Sequence, residues 1–127
     1  MKLFAILAIL TSLTLSTLQG RAADTNAVAA TIGSADASKW IGKHVVVTGL
    51  VAQVSSRSSM TFLNFDKRYP DSPFTVIIRA KNTNEFENLP ALRGKAVSVN
   101  GDIKDYNGKP EMELTRKSQI KLLSETK

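Results

Sequence analysis

His44-Val45-Val46-Val47-Thr48-Gly49-Leu50-Val51-Ala52-Gln53-Val54 is the stretch on which the fold turns. It is rich in β-branched side chains and alternates along its length, the pattern of a strand with one face in a core. Val45, Val47 and Val51 are the inner-face candidates, because side chains two apart share a face. Gly49 interrupts the run. A glycine inside so strong a strand predicts a bulge, at which one long strand bends and serves both halves of a barrel.

Outward from that run the chain keeps returning to period two. Residues 55–59 read as a polar turn, 60–65 as a second strand, 66–73 as a loop and 74–80 as a third strand. After Lys81 the alternation stops. Asn84 is placed to cap a short helix over 85–88, which the ring of Pro90 opposes extending. Gly94 restarts the sheet: Val97, Val99 and Ile103 alternate with Ser98, Asn100 and Asp102. Asn107-Gly108 then turns the chain into Met112 and Leu114. After a break at 116–118, residues 120–123 extend that last strand. Before the run, Ser38 caps a turn through Trp40 that Gly42 ends, which puts Trp40 over one end of a barrel.

Three strands, a short helix and two strands give an all-β domain with one short helix. With a bent first strand, the order fits the five-stranded closed Greek-key barrel of the oligonucleotide/oligosaccharide-binding (OB) fold, whose closure removes exposed sheet edges. This OB domain is expected over 38–124, with 125–127 as a tail. Residues 23–37, small and polar, read as a flexible lead-in.

The start of the chain speaks to destination. Met1 and Lys2 give a short positive end, residues 3–18 are uncharged and apolar, and Gly20 and Ala22 form a small-x-small exit. Residues 1–22 therefore read as a signal peptide cut after Ala22, so the protein is expected to be exported, periplasmic or secreted, with no stable membrane span in the mature chain. There is no cysteine. Lipid attachment at a lipobox, disulfides, zinc-thiolate or iron–sulfur sites and cysteine nucleophiles are all excluded. Loss of Lys2 and Arg21 with the signal lowers the formal charge from +6 to +4. Most of that excess lies between Arg57 and Lys81, where Arg57, Lys67, Arg68, Arg79 and Lys81 face only Asp66 and Asp71.

Gly42-Lys43-His44-Val45-Val46-Val47-Thr48-Gly49, then Phe62-Leu63-Asn64-Phe65, Tyr69-Pro70 and Phe74-Thr75-Val76-Ile77-Ile78, then Leu92-Arg93-Gly94-Lys95 through Gly101 and Tyr106-Asn107-Gly108-Lys109-Pro110-Glu111 cover nearly the whole mature chain. Together they resemble the small single-domain OB proteins related to anticodon-binding domains. The resemblance implies the barrel, and it implies single-stranded nucleic acid bound on the face of the second and third strands.

Strand parity locates that face. If Leu63, Phe65, Val76 and Ile78 point inward, Phe62, Asn64, Thr75, Ile77 and Arg79 point outward. An exposed phenyl ring beside a guanidinium suits base stacking with phosphate neutralisation. Arg57 in the first turn, Lys67, Arg68 and Tyr69 in the second loop, and Tyr106 with Lys109 in the last hairpin extend the candidate surface. Glu111, Glu113 and Asp102 face outward on the later strands and repel phosphate, so binding is expected to be one-sided. Catalysis is not indicated: His44 is the sole histidine, and Asp66, Asp71, Asp102 and Asp105 lack metal-ligand spacing. The carboxylate cluster of secreted OB-fold nucleases is not matched. The sequence thus predicts a non-catalytic, cofactor-free module for single-stranded nucleic acid or a similar polyanion. The alternative is a protein- or peptide-docking module or envelope scaffold using the same barrel face.

Overall fold

A computed structural model describes residues 29–123. The expected signal peptide 1–22, residues 23–28 of the lead-in and the 125–127 tail lie outside the described residues. In chain order the elements are β1 (Thr31–Gly33), a 3-10 helix (Ser34–Trp40), β2 (His44–Ser56), β3 (Met60–Phe65), β4 (Phe74–Arg79), 3-10 turns at Ala80–Glu85 and Leu89–Leu92, β5 (Ala96–Asp102), β6 (Lys104–Tyr106), β7 (Lys109–Glu113), a 3-10 turn at Lys117–Gln119, and β8 (Ile120–Leu122). Part of the stretch read as a lead-in is therefore built into the sheet: β1 pairs in parallel with β2, and Ala37 is fully buried.

The alternating apolar residues form the core as their parity dictates. Val45, Val47, Val51, Leu63, Phe65, Val76, Ile78, Val97, Val99, Ile103, Met112 and Leu114 are all buried, and Trp40 packs against them from one side. Phe65 and Phe74 meet edge to face with ring centroids 5.1 Å apart, a favoured aromatic geometry.

β2 does serve both halves. Its first part pairs with β5, from His44↔Asp102 to Leu50↔Ala96, and its second part pairs with β3. The bulge that allows this is not at Gly49, which pairs regularly with Val97. It falls between Val51 and Gln53, which oppose the successive residues Phe65 and Asn64 and leave Ala52 as the extra residue. Val51 turns its backbone toward the start of β5, donating to Lys95 O and accepting from Gly94 N. Gly49 is required for a different reason: a Cβ there would lie 2.5 Å from Ser34 Oγ and 2.8 Å from Phe65 Cδ2.

Two further expectations are corrected. The helical segments are 3-10 pieces displaced from the expected positions. The first has Gly33 as N-cap and contains Ser38, while Asn84 lies within Ala80–Glu85 and Pro90 stands in the first turn of the next. The barrel is also not closed and has eight strands, not five, in the order β6-β7-β4-β3-β2-β5-β8 with β1 beside β2. The seam lies between β7 and β5 because β8 does not extend the last strand. It returns to β5 instead, pairing Val97↔Leu122 through Val99↔Ile120, and so takes the edge that closure needs. The Gln119 side chain spans the seam: Oε1 accepts from Thr115 N at 2.8 Å and Arg116 N at 3.1 Å, and Nε2 donates to Asn100 O at 3.0 Å.

Candidate nucleic-acid interface

The outward positions of β2, β3, β4 and β7 line up in rungs across the sheet. One runs Gln53, Asn64, Thr75, Glu111; the next runs Ser55, Phe62, Ile77, Glu113; Met60 and Arg79 begin a third. Alternation thus puts Phe62, Asn64, Ile77 and Arg79 on one face, as the sequence predicts. It does not leave all of them open. Ile77 is 8 % exposed and Asn64 only 2 %, while Phe62 is half-buried. Arg79 is engaged by Glu113, Nε donating to Oε2 at 3.0 Å. Of the expected stacking platform, Phe62 is thus open only in part, and Arg79 is exposed but ion-paired.

Asn64 is covered by the loop between β3 and β4. Its Nδ2 donates to Gln53 Oε1 at 2.8 Å, and its Oδ1 accepts from Thr75 Oγ1 at 2.8 Å and Ser72 Oγ at 3.4 Å. Gln53 Oε1 also accepts the backbone N–H of Tyr69 at 2.9 Å. Asn64 is an internal brace, completed by Gln53 and Ser72, which alternation alone does not single out. Beside this network burial holds the Glu111 carboxyl above its ordinary 4.5, and the Arg79 cation draws it back down.

The same network presents the loop. Asp66 enters it with φ 68°, its N–H donating to Leu50 O at 2.7 Å and its carboxylate accepting from Ser34 Oγ and from Leu50 N. Beyond that anchor Lys67 and Arg68 are exposed, and Tyr69 is 70 % exposed. The β6–β7 hairpin comes to the same end of the sheet. Asn107 and Gly108 take positive φ (53° and 85°), as a tight two-residue hairpin requires, and Tyr106 is 59 % exposed. Lys109 Nζ joins hairpin to loop by donating to Pro70 O at 2.9 Å.

Lys67, Arg68, Tyr69, Tyr106 and Lys109 thus share one end of the sheet, with both rings exposed. Lys67, Arg68 and Lys109 enter no ion pair among the described residues. Arg57 belongs elsewhere. It lies in the β2–β3 turn, separated from the loop end by the length of β3, about 20 Å for a six-residue strand. On chemical grounds the loop end offers two π-faces and three cations with no acid paired to them. Among the described residues no group of three His, Asp or Glu side chains is placed to hold a metal ion, and no helix is long and apolar enough to cross a membrane.

No family model matches the sequence, and no curated protein matches it. Solved structures do. A Leishmania major Friedlin protein named as an aspartyl-tRNA synthetase superposes with a TM-score of 0.52 at 13 % identity, over 84 % of this chain and 23 % of that one. An Entamoeba histolytica asparaginyl-tRNA synthetase, solved with asparaginyl-adenylate, gives a TM-score of 0.46 at 16 % identity over 76 % and 24 %. The chain therefore corresponds to about a quarter of either protein's length. At this identity the first superposition is a likeness of fold, and it agrees with the OB-type arrangement of β2, β3, β4, β5 and β7.

Proposed function

We propose that this chain is a non-catalytic OB-type module that binds single-stranded nucleic acid through its loop end, and that it acts after export with residues 1–22 removed. One observation carries the reading: Tyr69 and Tyr106 stand exposed on two loops fastened together by Lys109, flanked by Lys67 and Arg68. Aromatic rings accept a base of any identity, and cations beside them neutralise the backbone. The fold likeness to a protein named for a tRNA substrate supports a nucleic-acid ligand over other polyanions. The export half rests on the apolar 3–18 segment and the Gly20/Ala22 exit.

Fluorescence anisotropy with labelled single-stranded DNA and RNA tests the binding half. Tyr69→Ala and Tyr106→Ala are each expected to weaken binding by the worth of a stacked base, about 1–3 kcal/mol. Arg79→Ala, which removes a cation already paired with Glu113, is expected to change it little. With Lys67, Arg68 and Lys109 each neutralising a phosphate, log K should fall with log salt at a slope of about −2. Salt-insensitive capture of a peptide instead would favour the docking alternative.

A further inference from the structure

A second concavity lies at the opposite end of β3 from the tyrosine loops. It is a cleft of about 490 Å³ between the β2–β3 turn and the 3-10 connector that follows β4. Small-molecule sites occupy this size range, about 300–1,000 Å³, and combine an apolar lining with a few placed polar groups. Met60, Phe86 and Leu89 supply the apolar lining. Most of the lining hydroxyls are already committed: Ser56 Oγ and Thr61 Oγ1 share a hydrogen bond at 3.2 Å, and Thr83 Oγ1 donates to Ala80 O at 2.9 Å.

The cleft carries charge of both signs, but only its anion has a counter-ion within reach. Arg57 and Glu87 are its charged lining residues, and the Glu87 carboxylate has Lys117 Nζ at 4.0 Å. Arg57 enters no ion pair among the described residues, although its backbone N–H closes the turn onto Met60 O at 2.8 Å and so fixes where the side chain starts. Arg79, nearby at the end of β4, differs because Glu113 neutralises it. A guanidinium takes a carboxylate or phosphate through paired N–H donors, and the apolar lining beside it takes the body that carries the anion.

We propose that this cleft is a ligand site separate from the nucleic-acid surface, for a small anion on a flat apolar body: an aromatic carboxylate or an aromatic phosphate monoester. It does not rest on the nucleic-acid reading. The test is an amide chemical-shift titration of the full chain with phenyl phosphate, benzoate, phenol and inorganic phosphate. Saturable shifts confined to residues 56–61 and 83–90 are expected for phenyl phosphate or benzoate, and the tighter of the two identifies the head group. Phenol and inorganic phosphate, each lacking one half of the ligand, should bind about tenfold more weakly or not at all. Arg57→Gln, a change in an exposed turn, should weaken binding about tenfold with an otherwise unchanged spectrum, while Tyr69→Ala and Tyr106→Ala leave it intact. The proposal is overturned if no probe saturates these amides by about 10 mM, if phenol binds as well as phenyl phosphate, or if Arg57→Gln binds as the parent does.

Discussion

Replacing Gly49 by alanine asks one methyl group to occupy space held by Ser34 and Phe65. Neither neighbour yields easily, since Ser34 hydrogen-bonds Asp66 and the Phe65 ring is fully buried. Gly49→Ala should cost about 1–3 kcal/mol, seen as a lower urea midpoint at unchanged m-value. A neutral result would mean that the packing around β2 is loose enough to take a methyl group. Glu111 offers a second test at this scale. Its folded pKa is raised, so the native state holds the proton more tightly than the unfolded chain, and this side chain's contribution falls as pH rises from 4.5 through the folded value. Glu111→Gln should therefore raise Tm at pH 7 relative to the parent and flatten the pH dependence of stability just above 4.5. Asn64 shows how much of the site a sequence can reveal. Alternation gives its direction correctly, but direction is not exposure. Ser72 bonds Asn64 itself and the Tyr69 N–H bonds its partner Gln53, and their approach depends on a loop path that no period encodes.

At the scale of elements, the strands legible in the sequence are those with long alternating runs. β2, β3, β4 and β5 fall where the pattern puts them, because each buries a β-branched or aromatic row. The shortest pieces are hard to read for a physical reason: a three-residue strand such as β1 or β6 has too few residues to show a period, and for β8, expected as a strand over 120–123, it is the partner that the sequence leaves undecided. β8 is the instructive case, since Ile120–Leu122 is apolar enough for either edge and the Lys117–Gln119 turn sends it to β5. Gln119 then holds the seam that remains. Gln119→Leu should leave Thr115 N, Arg116 N and Asn100 O without their partner and cost about 1–3 kcal/mol. Hydrogen exchange should show faster exchange at the amides of Thr115 and Arg116, with β3 and β4 still protected. Uniform loss of protection would mean that the seam is not a separate unit.

Across the whole molecule, charge and aromatic exposure are divided between surfaces. The sheet face around Phe62 and Ile77 is hemmed by Glu111 and Glu113, with its Arg79 paired, while the loop end collects two open tyrosines and three cations. The basic excess and the loop positions of Lys67, Arg68, Tyr69, Tyr106 and Lys109 are legible in the sequence, but not that Asn64 and Ile77 on the strand face are buried. Sheet parity cannot report how a loop and a hairpin from distant parts of the chain meet through Lys109 and Pro70. The measurement that bears most directly on this division is a backbone-amide shift map of the full chain titrated with a short single-stranded oligonucleotide. Shifts are expected to concentrate at residues 66–71 and 104–109, with 60–64 and 75–79 little changed. Shifts centred on Phe62, Ile77 and Arg79, or none at low salt, would contradict this division.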